Sequence, residues 1–179
     1  MDKFQLLKRY WGFSKFRPYQ KEIIDSLLEG KDVIGILPTG IGKSLCYQLP
    51  SLIMDGPVLV ISPLVALMID QVRQLGKQGI KSMYFENDIK STPLQQQIEN
   101  SIYGNYKLIY CSPERFLNPI FIKQIVLINF SLIAIDEAHC ISELGHDFRP
   151  SYRQLHVLRD LFIKTPILAV SASATNEVI

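Results

Sequence analysis

Residues 37–48, LPTGIGKSLCYQ, place a lysine and a serine directly after two glycines, a composition suited to holding phosphate. In the pattern G-x-x-x-x-G-K-[ST], backbone N–H groups turn toward the phosphates, the lysine reaches the β- and γ-phosphates, and the hydroxyl holds Mg²⁺. The later positions are filled by Gly40, Gly42, Lys43 and Ser44. Leu37 stands where the strict pattern has glycine. The loop therefore predicts a nucleotide site, and a glycine-rich turn with a solvated lysine is the alternative.

An acidic motif, LIAIDEAH at residues 132–139, strengthens the prediction of nucleotide binding. A carboxylate at the end of a buried strand is costly unless a positive charge meets it. Asp136 is therefore expected to meet Mg²⁺, directly or through water, opposite Lys43 and Ser44. Glu137 is the natural residue to orient or deprotonate an attacking water. His139 is a candidate catalytic residue, and a structural, hydrogen-bonded histidine is the alternative.

Short apolar runs alternate with segments of helical period. The runs are residues 32–37, 58–62, 81–85, 107–112, 132–136 and 167–172. Several are too apolar to alternate, as is typical of strands covered on both faces. The alternation predicts an α/β fold with a mainly parallel central sheet and helices on both faces. Ligands of such sheets lie beyond the carboxyl ends of the strands, where five of the runs are followed by polar motifs.

Residues 62–76 show the clearest helical pattern. Ser62 is expected to cap this helix, with Pro63 at its first position. The predicted apolar face consists of Leu64, Leu67, Met68 and Leu75. Gly76 and Gly79 are residues at which this helix is expected to end.

The amino-acid composition is typical of a globular protein domain. The chain has 179 residues, 47% hydrophobic and 20% charged, which fits one globular domain. Its net charge of +2 gives no overall basic field, so a nucleic-acid surface needs local basic residues. Three widely spaced cysteines, Cys46, Cys111 and Cys140, predict reduced, buried thiols in a cytoplasmic protein. No apolar stretch approaches the length of a membrane span, so no membrane partner is expected.

Together, PTGIGKS and DEAH resemble the superfamily 2 helicases, and longer blocks are similar to the RecQ family of ATP-dependent DNA helicases. These blocks are LKRYWGFSKFRPYQKEI, GKSLCYQLP, VISPLVALMIDQV, YCSPER and DEAHCISELGHDFRPSY. The resemblance covers residues 4 to 175. It implies a RecA-like P-loop NTPase domain that uses ATP and Mg²⁺, with Thr39 among the residues of the phosphate loop.

Other roles are implied by the resemblance alone. Residues 1–30 would form an adenine-recognition segment, in which Gln20 reads the base edge and Arg17 supports the pocket. The nucleic-acid and coupling residues would be Ser62, Pro63, Arg115, His146, Phe148, Arg149, Ser171 and Thr175. Arg115 either supplies a charge or pairs with Glu114. Phe148 and Tyr152 would offer flat faces to DNA bases, whereas Leu144 stands where the family usually has tryptophan.

The resemblance implies a motor lobe of a 3′-to-5′ helicase in DNA repair and recombination, acting on single-stranded or forked DNA. Residues 1–179 would be the first RecA-like lobe, and the second lobe, which supplies an arginine finger, is expected in a longer protein. The lobe alone is expected to bind Mg·ATP weakly, hydrolyse it barely and not unwind DNA. It would be cytoplasmic, and nucleoid-associated if bacterial. The alternatives are a non-catalytic nucleotide-dependent DNA-binding module and a small-molecule P-loop kinase.

Overall fold

The computed structural model describes residues 2–85, 93–141 and 149–172. Its strands are β1 (Val33–Ile36), β2 (Val58–Ile61), β3 (Ser82–Tyr84), β4 (Leu108–Cys111), β5 (Leu132–Ile135) and β6 (Ile167–Ser171). Each falls within one of the six apolar runs, which confirms the strand predictions.

Helices connect these strands. They are α1 (Lys3–Trp11), α2 (Gln20–Leu28), α3 (Leu45–Gln48), α4 (Val65–Lys77), α5 (Leu94–Tyr103), α6 (Pro119–Ile125), α7 (Pro150–Arg153) and α8 (Val157–Leu161). Short 3₁₀ turns occupy Pro50–Leu52, Pro113–Leu117, Ala138–Ile141 and Gln154–His156. No helix in the described part of the chain is long and apolar enough to cross a bilayer.

The six strands form one sheet in the order β1-β6-β5-β2-β4-β3, and every pairing is parallel. Their carboxyl ends therefore share one edge. Strand β6 lies between β1 and β5, so the segments that follow these three strands are neighbours at that edge. This strand order brings the phosphate loop and the DEAH motif together.

Two apolar clusters cover opposite faces of the central strands. In β2, Val58 and Val60 belong to one cluster, whereas Leu59 and Ile61 belong to the other. All four are fully buried, as the unbroken apolar run predicts. At the edge strand β1 only one face is covered among the described residues: Gly35 faces α2, and Ile34 and Ile36 are about half exposed. The prediction of a parallel sheet with helices on both faces is therefore confirmed, and the outer face of β1 is uncovered among the described residues.

The predicted start of the helix after β2 was wrong. The N–H of Ser62 donates to the Cys111 carbonyl at 3.0 Å, so Ser62 extends the sheet pairing instead of capping the helix. Helix α4 begins two residues after Pro63, and Leu64 is 49% exposed rather than on the buried face. The helix also runs through Gly76, and the left-handed Gly79 (φ +77°) follows its end.

Candidate functional site

The phosphate loop joins β1 to α3 and has the backbone conformation that its glycines allow. Gly40 and Gly42 have φ values of +82° and +83°, in the left-handed region that side chains disfavour. Leu37, the departure from the strict motif, is buried, and its N–H donates to the Ser171 carbonyl at 2.9 Å. Leucine at this position therefore extends the sheet, and the turn itself is left to the later glycines.

The N-terminal segment braces this loop through two predicted residues. The amide nitrogen of Gln20 donates to the carbonyls of Ile41 at 2.8 Å and Gly42 at 3.0 Å. Its amide oxygen accepts from the Arg17 N–H at 2.9 Å, and the Arg17 guanidinium donates to the Gly40 carbonyl. Both side chains thus contact the phosphate loop in this structure. Their predicted contact with adenine stays a prediction.

A cavity of about 240 Å³ lies beside the loop. It is lined by Arg17 and Gln20, by Ser44 at the start of α3, and by the aromatic residues Trp11 and Phe13. Neither aromatic residue was predicted individually as a site residue. Both lie within the LKRYWGFSKFRPYQKEI block, which was the available signal.

The DEAH motif faces the phosphate loop across the end of β6. The Lys43 amine lies 3.3 Å from a Glu137 carboxylate oxygen, which joins the two motifs that carry the predicted chemistry. Glu137 has a φ of +50°, an uncommon conformation for a residue with a side chain. Such strain concentrates at functional sites, where surrounding contacts hold it. Lys43 thus pairs with Glu137, and its charge also acts on Asp136, which the sequence predicted to lie opposite it.

Asp136 is the buried member of the acidic pair, with 8% of its surface exposed. One carboxylate oxygen accepts the Glu137 N–H at 3.0 Å, and the Tyr47 hydroxyl lies 3.5 Å from the other. Loss of solvent, reinforced by the nearby charge of Glu137, raises the pKa of Asp136 from 3.8 to about 6. No ion pair reaches this carboxylate in the described part of the chain. Asp136 is therefore a buried carboxylate whose charge is only partly offset, by the nearby charge of Lys43 and by its hydrogen bonds.

His139 connects the acidic motif to the end of β6. Its Nδ1 lies 3.0 Å from the Ser171 hydroxyl and 3.3 Å from a Glu137 carboxylate oxygen. The residue is therefore hydrogen-bonded, as the structural alternative held, and it also touches the candidate catalytic glutamate.

A second cavity, of about 490 Å³, opens over this group. Its lining includes Thr39 and Lys43 from the phosphate loop, Glu137 and His139 from the DEAH motif, and Pro63, Leu64, Cys140, Arg149 and Ala172. Its volume falls within the range of small-molecule sites. Segments after β1, β2, β5 and β6 thus converge on one space.

Two strand-end serines, Ser62 after β2 and Ser112 after the neighbouring β4, are buried. Their hydroxyls have no hydrogen-bond partner among the described residues. Arg115 also has two unpaired, buried guanidinium nitrogens, and its guanidinium lies 5.6 Å from the centre of the Phe121 ring. Glu114 instead accepts a hydrogen bond from Ser151 at 2.9 Å. The suggested pairing of Arg115 with Glu114 is therefore wrong, and the guanidinium is partly buried against Phe121.

The residues after the DEAH motif divide into three groups. Arg149 donates to the Pro63 carbonyl at 2.8 Å, so it joins the segments after β2 and β5. Tyr152 is 1% exposed, so the prediction that it offers a face to DNA bases is wrong. Leu144, His146, Phe148 and Thr175 lie outside the described residues.

The described residues suit a magnesium ion that is bound by only one or two protein oxygens together with phosphate. No group of three or more His, Cys, Asp or Glu residues able to hold a metal occurs among them. Mg²⁺ commonly binds through one or two protein oxygens together with substrate phosphates, so a multi-residue cage is not required. A buried carboxylate with a raised pKa, next to a glutamate that contacts the phosphate-loop lysine, fits that arrangement. All three cysteines are buried, as predicted.

Comparison with known proteins gives a consistent result. A family model described as DEAD/DEAH box helicase matches residues 17–179. The probable ATP-dependent DNA helicase RecS of Bacillus subtilis is 47% identical over 97% of this chain and 35% of that protein. The ATP-dependent DNA helicase RecQ of Pasteurella multocida is 48% identical over 96% of this chain and 27% of that protein. The chain thus spans about a third or less of these relatives, and the resemblance to RecQ helicases is confirmed.

A solved structure supports the fold. The crystal structure of the DUF1998 helicase MrfA bound to DNA and AMPPNP superposes with a TM-score of 0.75. The match covers 98% of this chain and 26% of that one, at 21% identity. The prediction of a RecA-like α/β fold is confirmed.

Proposed function

The chain belongs to the DEAD/DEAH box helicase family, and we propose that it is the ATP-binding motor lobe of a RecQ-like DNA helicase. One observation carries the proposal: the Lys43 amine lies 3.3 Å from Glu137, beside the buried carboxylate of Asp136. A lysine and two acids at the carboxyl edge of a parallel sheet are the groups that phosphoryl transfer to water needs.

Each residue has a distinct part in the proposed hydrolysis. Backbone N–H groups between Thr39 and Ser44 hold the phosphates, with glycines at 40 and 42 permitting the turn. The Lys43 amine leaves Glu137 for the phosphates, which releases the Glu137 carboxylate to orient the attacking water. His139 keeps that carboxylate in place through its 3.3 Å contact. Ser44 and Asp136 would hold Mg²⁺, which supplies positive charge against the phosphate oxygens.

The adenine base of ATP would bind where the N-terminal segment contacts the phosphate loop. Gln20 and Arg17 line the cavity of about 240 Å³ together with Trp11 and Phe13. An amide offers a donor and an acceptor side by side, which matches the edge of adenine. Residues 1–30 thus form the adenine-recognition part of the domain spanning residues 1–179.

DNA would bind along the strand ends next to the nucleotide. Ser62 and Arg115 are proposed phosphodiester contacts, because hydroxyl and guanidinium groups commonly bind phosphate. Their unpaired atoms are buried, so this contact requires them to become exposed when DNA binds. The other proposed DNA and coupling residues are Pro63, His146, Phe148, Arg149, Ser171 and Thr175. In the intact enzyme, ATP turnover would drive 3′-to-5′ unwinding of single-stranded or forked DNA in repair and recombination, in the cytoplasm.

The proposal includes a second RecA-like lobe in the intact helicase. An arginine finger from such a lobe increases turnover by about 10³ to 10⁵ in other NTPases. The 179-residue chain is therefore expected to bind Mg·ATP weakly, to hydrolyse it slowly and not to unwind DNA.

Nucleotide binding tests this function directly. Titration of the chain with fluorescent Mg·ATP should give saturable binding, and Lys43→Ala should weaken it by at least about tenfold, since charge-assisted hydrogen bonds are lost. Lys77→Ala, an exposed lysine at the end of α4, is the matched control. Equal affinities for Lys43→Ala and the unmodified chain would contradict the assignment.

Turnover tests the DNA part of the proposal. The chain would be joined to the remaining domains of a RecQ relative, and ATP hydrolysis measured with and without single-stranded DNA. Stimulation by DNA that Lys43→Ala abolishes supports a motor lobe. Turnover that ignores DNA favours the regulatory-module alternative.

A further inference from the structure

The buried hydroxyl of Tyr152 lies against the acidic motif, away from the surface where the sequence had placed it. It donates to the backbone carbonyl of Asp136 at 2.7 Å, and both groups are buried. Burial also raises the pKa of Tyr152, so the hydroxyl keeps its proton and remains a donor.

The peptide that Tyr152 touches is the one that joins the two acids. Its carbonyl is the Asp136 carbonyl, and its N–H is that of Glu137, which donates to the Asp136 carboxylate at 3.0 Å. Both ends of this peptide group are thus hydrogen-bonded. Directly after it, Glu137 adopts the strained φ of +50°. A left-handed residue persists where neighbouring contacts fix its backbone, and a pinned peptide plane is such a contact.

The helical turn that carries Tyr152 is itself fixed at several points. The Arg149 N–H donates to the Cys140 carbonyl at 2.9 Å, and its guanidinium reaches the Pro63 carbonyl. Ser151 donates to Glu114 at 2.9 Å. Helix α7 is therefore tied to the segments that follow β2, β4 and β5, which makes the Tyr152 hydroxyl a preorganised donor.

We propose that Tyr152 is a positioning residue: its hydroxyl fixes the Asp136–Glu137 peptide, and thereby aims the Glu137 carboxylate at the space beside Lys43. Its relevance to hydrolysis rests on the proposed function, while its effect on the peptide does not. Without the hydroxyl the peptide plane can rotate, Glu137 can leave the left-handed region, and its carboxylate is aimed less well.

Tyr152→Phe is the test variant, because it removes only the oxygen and keeps the ring in the core. Tyr110→Phe is the matched control: this tyrosine is also 1% exposed, and in the described part of the chain its hydroxyl makes no hydrogen bond to the DEAH motif. In ¹⁵N-labelled chain without nucleotide, the amide exchange rate of Glu137 is measured in both variants. Tyr152→Phe should increase it by roughly tenfold, as expected for one lost hydrogen bond. An unchanged rate, or equal increases in both variants, overturns the proposal.

Single-turnover hydrolysis with the chain in excess over ATP adds a functional readout. Tyr152→Phe should lower the maximal rate by roughly three- to tenfold and leave the half-saturating chain concentration unchanged. Weaker affinity with an unchanged maximal rate overturns the positioning role. If Lys43→Ala hydrolyses and binds ATP as the unmodified chain does, the proposed function fails. The amide measurement still decides the role of Tyr152, because it needs no nucleotide.

Discussion

Replacing Asp136 with asparagine isolates the cost of one buried charge. The raised pKa of Asp136, about 6 against the usual 3.8, reflects burial and the charge of Glu137. Each pKa unit corresponds to about 1.4 kcal/mol, so the ionised carboxylate destabilises the folded chain by about 3 kcal/mol at neutral pH. Asparagine has the same shape and keeps an oxygen for the Glu137 N–H. D136N should therefore raise the free energy of unfolding by about 2–3 kcal/mol at pH 7.5.

The pH dependence fixes the sign of the effect. A carboxyl group whose pKa is higher in the folded state than in the unfolded state binds more protons when folded, so lowering the pH favours the folded unmodified chain. The advantage of D136N should be full above about pH 6. It should shrink as the pH falls from 6 and vanish near the usual value of 3.8, where the carboxyl is neutral in both states.

Urea unfolding of the unmodified chain and D136N at pH 7.5, 6, 5 and 4 measures this difference. Thermal unfolding at pH 7.5 should show a midpoint higher by about 5–10 °C for a chain of this size. Asp70→Asn, on the exposed side of α4, is the control and should change stability little at any of these pH values. Equal or lower stability of D136N at pH 7.5, or a gain that does not vary with pH, would refute the reasoning.

Two further predictions concern the backbone of the phosphate loop and the edge of the sheet. Gly42→Ala should lower the unfolding free energy by about 1–2 kcal/mol, because φ is +83° and the new Cβ would lie 3.0 Å from a side-chain nitrogen of α2. Gly76→Ala, in the open interior of α4, should instead raise it by about 0.5–1 kcal/mol, and equal effects in urea unfolding would contradict the strain argument. Asp32→Ala should cost about 1 kcal/mol in the same assay, because Asp32 accepts two 2.7 Å bonds from Arg159 and the Ile167 N–H at 2.9 Å. No measurable loss would show that this contact between β1 and β6 adds nothing to stability.

The strands could be predicted from the sequence because buried parallel strands need continuous apolar runs. The start of α4 could not, since Ser62 and Pro63 are good helix-start residues by local preference. Pairing with β4 overrides that preference: the Ser62 N–H bonds the Cys111 carbonyl at 3.0 Å. The exposed face of β1 was missed for a similar reason. Whether a strand lies at the edge of a sheet depends on the order of the strands, and the apolar sequence of one strand does not reveal that order.

The part of the candidate site that could be predicted consists of charged residues in motifs directly after predicted strands. Lys43 and Glu137, 94 positions apart, meet because parallel strands end at one edge. Tyr152 was misassigned because an aromatic residue after a polar loop gives the same signal whether it faces solvent or the core. Only the packing of α7 against the DEAH turn separates these possibilities.

The charges of the site determine which ligands it can bind. Lys43 pairs with Glu137, which leaves Asp136 buried and ionised at neutral pH with no ion-pair partner in the described part of the chain. A polyphosphate that draws Lys43 away would leave two neighbouring carboxylates uncompensated, and this worsens the electrostatics unless a cation arrives with it. A phosphate ligand alone adds negative charge beside both carboxylates, whereas a divalent cation that binds with it offsets this charge. Nucleotide and metal should therefore bind to this edge with positive coupling, and D136N, which removes the buried charge, should weaken that coupling while it stabilises the empty fold.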